Sequence, residues 1–213
     1  MDLYPNSETR AGMQNAAVES WLSGWTSPVP TTNQGTSELG FQRWFHFKEA
    51  FSPSFVLDVI CSQPIMPRTI FDPFSGSGTT SITSQFIGVA PIAIEVNPFL
   101  ADLTEAKLSI IDSAELLHAK RALIRKAKRI RGRELLEKFP MPPTFIEPGV
   151  NERWLFNEDV AIQIFSYRAA IEEMEHQHLK RFAIVALGSI LVEASNAVIN
   201  GKGRRYRKNW QLR

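Results

Sequence analysis

The sequence predicts an α/β fold: a partial, doubly wound parallel sheet followed by a helical extension. Three observations predict it. Thr69-Ile70-Phe71-Asp72 reads as a short strand that runs directly into a glycine turn, Pro73-Phe74-Ser75-Gly76-Ser77-Gly78, and then a helical stretch. Ala90-Pro91-Ile92-Ala93-Ile94-Glu95-Val96 reads as a second, buried strand, so the order strand, loop, helix, strand is the one that parallel pairing requires. Beyond Asp112 the apolar spacing becomes helical, and only these two strands are recognisable in the chain.

Element by element, the first 40 residues are polar and turn-rich, and they read as an extended arm (1–40) ahead of an α/β region (41–110) and a helical extension with a basic tail (111–213). Aromatic residues cluster at Phe41, Trp44, Phe45, Phe47 and Phe51. Ser52 before Pro53 starts a helix reaching about Ser62, because proline is favoured at the first helical position. A helix from Thr79 to Phe86 stops at Gly88, and Asn97-Pro98 caps another that runs to about Leu108. Leu116, Leu123 and Ile130, with Leu117 and Ile124, then mark the apolar stripe of a long basic helix ended by Phe139-Pro140-Met141-Pro142-Pro143. Asn157 is placed to cap a helix beginning at Glu158, and Phe182 to Ala194 reads as a buried helix.

With 44% hydrophobic and 22% charged residues, collagen-like, mucin-like and wholly disordered chains are excluded. No apolar run nears the roughly 20 residues of a membrane-spanning helix, and the N-terminal residues do not read as a secretory signal. The lone Cys61, read as a buried helix residue, forbids an internal disulfide and suits the cytoplasm. His176 and His178 lie two apart on a helix and point away from one another, so no metal site is expected.

The net charge of +2 hides two basic clusters. His118 to Lys138 holds nine Lys or Arg against two Glu, and Gly201 to Arg213 holds six against none. Lys120, Arg121, Arg125, Lys128 and Arg129 in the first, and Lys202, Arg204, Arg205, Arg207 and Lys208 in the second, are candidate contacts to a polyanion such as DNA. Counterion release rewards clustered charge. A solvated helix face with a basic tail fits the same charges.

The chemistry concentrates at the glycine turn. Gly76 and Gly78 let a ligand approach the backbone where helix amides point, and Glu95, seventeen residues past Gly78, ends the second strand where a carboxylate accepts from ribose hydroxyls. Together they indicate an adenosine-containing cofactor. A nicotinamide fingerprint would have a third glycine where Ser81 stands.

Asp72-Pro73-Phe74-Ser75-Gly76-Ser77-Gly78-Thr79-Thr80 resembles the S-adenosylmethionine-binding motif of amino-methylating DNA methyltransferases, which modify the exocyclic amine of adenine or cytosine. Ile94-Glu95-Val96-Asn97-Pro98-Phe99 is similar to the family's ribose-binding strand, and Arg43 to Pro53 to the segment closing over the methionine end. The resemblance implies a Rossmann-like methyltransferase sheet, a role in DNA methylation or restriction-modification, and S-adenosyl-L-methionine as cofactor. It also implies cofactor contacts from Lys48, Ser52, Asp72, Phe74, Gly76, Ser77, Gly78, Thr79, Thr80, Glu95 and Asn97.

One part of the family pattern is missing. The family holds its flipped base with Asp, Asn or Ser, then Pro-Pro, then an aromatic residue. Met141-Pro142-Pro143-Thr144 lacks the acceptor and the ring, so no catalytic residue is assigned, although an Asn acceptor and a ring could be drawn from Asn196 or Asn200 with Tyr206. The expectation is the cofactor-binding part of a split or truncated methyltransferase. The alternative is a non-catalytic DNA- and cofactor-binding subunit whose partner chain supplies the missing motif.

Overall fold

The computed structural model describes residues 16–23, 35–139, 141–200 and 203–212. The chain is mixed α/β, mostly helical, and divides into two units, Met1–Ile110 and Ile111–Arg213.

In the first unit, helix α1 (residues 16–22) lies within the segment expected to be an extended arm. Its Val18 is buried, and the Trp21 ring stacks on Phe86 at 4.6 Å while its indole N–H donates to Gly40 O at 3.0 Å. Burying two large apolar groups outweighs the weak helical pattern of so short a segment. The rest of the expected arm lies outside the described residues, apart from residues 35–40, which include a 3-10 turn at Thr36–Glu38. Helix α2 (Pro53–Cys61) begins at Ser52, whose hydroxyl accepts from Phe55 N at 3.0 Å. Cys61 ends that helix exposed, so it is not the buried helix residue expected.

Strand β1 (Thr69–Asp72), helix α3 (Thr79–Phe86), strand β2 (Ala90–Ala93) and helix α4 (Pro98–Leu108) follow. β1 and β2 pair in parallel, Thr69 opposite Ala90 through Asp72 opposite Ala93. Val18, Val56, Ile60, Ile87 and Val89 form the core under one face of this pair. On the other side Phe71, Ile92 and Ile94 are each more than half exposed, so β2 is neither as long nor as buried as its composition suggests.

The doubly wound sheet is not seen. Among the described residues β1 and β2 pair only with each other, because the chain after α4 is taken up by long helices rather than by further strand and crossover units.

The second unit contains α5 (Ser113–Arg129), α6 (Glu158–Glu172), α7 (Gln177–Ala194) and an antiparallel hairpin of β3 (Ala197–Asn200) and β4 (Gly203–Tyr206). Asp112 caps α5 through bonds from Ala114 N and Glu115 N. The helix stops at Arg129, well before the prolines expected to end it, just ahead of Gly132 and a 3-10 turn at Arg133–Leu135. Asn157 stands at the N-cap of α6 as expected, and its backbone O accepts from Ala161 N at 3.0 Å, but its side chain makes no capping bond: Oδ1 accepts instead from the Trp154 indole at 2.9 Å and from Asn196 at 3.1 Å. α7 is only partly buried, with Leu179 and Val185 inward and Ile190 half exposed. No described helix is long and apolar enough to cross a membrane.

Part of the expected basic tail, Gly203–Tyr206, is a strand of this hairpin, and one arginine ties it to α7. Arg207 donates through Nε to Ser195 O at 3.1 Å and through Nη2 to Val192 O at 3.1 Å and Glu193 O at 3.4 Å, adding to the bonds that Ser195 N and Oγ already make to Val192 O at the end of α7.

Candidate cofactor site

The site grows out of the ladder between β1 and β2. Ile94 N donates to Asp72 O at 2.9 Å and Ser75 N to Ile94 O at 3.0 Å, so the loop leaves the sheet in fixed register. Asp72 Oδ1 accepts from Phe74 N at 3.0 Å and folds the first turn of the loop; the Phe74 ring projects outward, 87% exposed. Gly76 and Gly78 take φ of 54° and 79°, the left-handed region where a side chain is strained. Space forbids one too: an added Cβ would stand 2.9 Å from the Phe47 ring at Gly76 and 2.6 Å from Thr104 Oγ1 at Gly78.

Glu95, just past β2, holds this loop. Its Oε2 accepts from Gly76 N at 2.7 Å and its Oε1 from Asn97 N at 2.8 Å. Each carboxylate oxygen has a second lone pair, so both can still accept from a ligand hydroxyl. Asn97 uses its side-chain oxygen to cap α4 through Phe99 N at 3.0 Å. Beside Glu95 lies a cavity of about 480 Å³, lined by Ser75, Ser81, Ala93, Ala101 and Thr104 among others. Among the described residues, the hydroxyls of Ser75, Ser81 and Thr104 are buried there without a hydrogen-bond partner, as are those of Ser77 and Thr83 nearby. Buried hydroxyls are ordinarily satisfied, so three that lack a partner just beneath the wall of one cavity, with a carboxylate beside it, fit a site for a ligand rich in donors and acceptors, as an adenosine is.

The residues expected around the cofactor are thus brought together unequally. Asp72, Gly76, Ser77, Gly78 and Glu95 make one continuous loop structure. Thr79 is buried with its hydroxyl accepting from Gln42 at 3.3 Å, and Thr80 is half-buried in the first turn of α3. Ser52 is fully buried at the cap of α2, and Lys48 is exposed.

One residue of the loop structure escaped the sequence reading. Lys107 on α4 is 2% exposed, and its Nζ donates to Ser77 O at 2.6 Å. Burial lowers its pKa from 10.5 to about 8. The spacing Leu100, Leu103, Thr104 and Lys107 puts it on the buried stripe of α4, a signal that its charge obscured.

The basic candidates are a separate matter. Lys120, Arg121, Arg125, Lys128 and Arg129 are exposed on α5 with no ion pair among the described residues, while Lys126 is held by Glu173 at 2.6 Å. Arg204 and Arg205 on β4 and Lys208 after it are exposed; Arg207 is engaged by α7, and Lys202 lies outside the described residues. Asn196 is buried against Asn157 and the Tyr206 ring meets Trp210 at 4.9 Å, so the two do not form an open pocket.

The chain is similar to a methyltransferase. It is 34% identical over 80 residues, 37% of its length, to the Type II methyltransferase M.BsoBI of Geobacillus stearothermophilus. The match spans 16% of that protein. No family model and no solved structure matches the chain.

Proposed function

We propose that this chain is the cofactor-binding part of an S-adenosylmethionine-dependent DNA methyltransferase acting on the exocyclic amine of adenine (N6) or cytosine (N4). The observation that carries the reading is the Asp72 to Thr80 loop held by Glu95 beside three buried, unpartnered hydroxyls. The partial similarity to a type II methyltransferase supports the same class. Glu95, Ser75, Ser81 and Thr104 would hold the nucleoside end, and the loop backbone the methionine end. When bound, the cofactor supplies an electrophilic methyl group. The chain contributes position and a water-poor surface, while holding the amine in line needs the base-gripping segment that the sequence lacks.

A second reading is favoured by one observation. A parallel pair with apolar residues on its open face, Phe71, Ile92 and Ile94, is ordinarily covered on both sides. A non-catalytic subunit that binds cofactor and DNA, with a partner chain covering that face and bringing the Pro-Pro-aromatic segment, accounts for it.

Calorimetry tests the first step. Saturable heat with S-adenosylmethionine and none with a nicotinamide dinucleotide is expected; a folded sample silent at millimolar S-adenosylmethionine would end the proposal. The chain alone should transfer no labelled methyl group to mixed-sequence DNA. Transfer that appears only on adding a chain with an Asp-Pro-Pro-Tyr-like segment selects the partnered form.

A further inference from the structure

The glycine loop is gripped from two sides by opposite charges. Glu95 takes the amide of Gly76 on one side, and Lys107 reaches Ser77 O on the other. Lys107 acts on one peptide plane. The carbonyl of Ser77 and the N–H of Gly78 belong to the same peptide; Lys107 holds the first, and the second donates to Ser75 O at 2.9 Å. That peptide sits between the two left-handed glycines, where the backbone has the widest choice of alternative conformations.

A buried ammonium with no carboxylate is an expensive way to hold a carbonyl. No ion pair reaches Lys107 among the described residues. α3 and β2 have no ionisable side chain. The charged groups on the other neighbouring elements are Asp58 on α2, Asp72 at the end of β1, Glu95 past β2, Asp102 and Glu105 on α4 itself, and Arg43, His46, Lys48 and Glu49 before α2. A methionine or leucine would fill the same stripe of α4 without the desolvation cost, so the charge answers to something other than packing.

We propose that Lys107 is a positioning residue: its ammonium fixes the Ser77–Gly78 peptide in the arrangement that receives the cofactor, and ligand affinity therefore depends on its protonation. This rests on the reading of the loop as an S-adenosylmethionine site. The protonated form donates a charge-assisted bond to Ser77 O, while the neutral amine offers a weaker one. With the free lysine titrating near pH 8, affinity is full below that pH and declines above it.

The test uses S-adenosylhomocysteine and the whole chain, titrated calorimetrically from pH 6.5 to 9.5 in wild type, Lys107→Met and Lys107→Arg. The ligand's own amine titrates alike in all three, so differences between profiles belong to position 107. Wild-type affinity should fall about tenfold over this range relative to Lys107→Arg, whose guanidinium stays charged. Lys107→Met should bind about tenfold more weakly than wild type at pH 7 and converge with it at pH 9.5.

Linkage gives a second measurement on wild type alone. A ligand that prefers the ammonium must raise the Lys107 pKa, by about one unit for a tenfold preference, read by NMR of ¹³C-labelled lysine with and without S-adenosylhomocysteine. Wild type and Lys107→Met sharing one profile, or a Lys107 pKa unmoved by bound ligand, overturns the proposal. Wild type that binds no S-adenosylhomocysteine at any pH overturns the cofactor reading beneath it.

Discussion

Lys107 in the first unit and Lys128 in the second are both lysines on amphipathic helices, and their settings are opposite. Lys107 points inward to a single backbone carbonyl, at the cost of a lowered pKa. Lys128 stands in solvent among Arg121, Arg125 and Arg129. A buried charge is held in one place by everything around it, so its geometry names a specific job. An exposed charge is interchangeable with its neighbours and names only a class of partner.

If the buried site is as tightly determined as this contrast holds, small changes there must have large effects, and the biggest falls on the glycine facing Thr104. Gly78→Val forces a branched side chain into a left-handed conformation and into Thr104, and should destabilise the chain by roughly 3 kcal/mol or more in urea unfolding. Gly203, at φ 114° with nothing near its missing Cβ, is the control: Gly203→Ala should cost about 1 kcal/mol, from backbone strain alone.

Glu95→Ala should weaken S-adenosylhomocysteine binding by about 1 to 3 kcal/mol, since it removes both a ligand acceptor and the anchor of Gly76. Unchanged affinity would place the ligand elsewhere.

The buried lysine also predicts a stability trend that runs against its proposed effect on affinity. Its pKa is about 8 folded and 10.5 unfolded, so between those values the unfolded chain binds more protons and stability rises with pH. The unfolding free energy of wild type relative to Lys107→Met should rise by about 2 kcal/mol from pH 7 to 9.5, measured by chemical denaturation.

The exposed cations provide the lower end of the scale. Replacing Lys120, Arg121, Arg125, Lys128 and Arg129 with glutamine should change stability by less than about 0.5 kcal/mol per residue. It should also flatten the salt dependence of duplex DNA binding by about 0.9 in logarithmic slope for each phosphate that is no longer neutralised. If DNA affinity does not vary with salt, these charges form only a solvated face.

The same contrast explains what could be read from the sequence. β1, α3 and α4 were legible to within a residue because local signals fix them: a glycine turn, Gly88 after α3, and Asn97-Pro98 at a helix start. Glu95 was legible as a carboxylate at the end of the second strand, but not that it would take the amide of Gly76. What failed depended on distant partners. Asn157 was legible as the start of α6, but not that its side chain would turn to Trp154 and Asn196 rather than to the helix amides. The hairpin β3–β4 was hidden because its outward strand is Gly-Arg-Arg-Tyr, a composition that reads as a tail. Lys107 was hidden by the rule that lysines face water, which holds for nearly all of the others.

Arg207 carries a mechanical consequence. One guanidinium bridges the strand after the hairpin turn to the last carbonyls of α7, and Asn196 O accepts from Arg207 N at 2.8 Å beside it. The end of the helix and the hairpin are therefore a single latch: neither can fray without releasing the other. Amide protons at Val198 and Arg205 should exchange with deuterium at the same rate as those in the final turn of α7, and Arg207→Ala should split that one opening event into two.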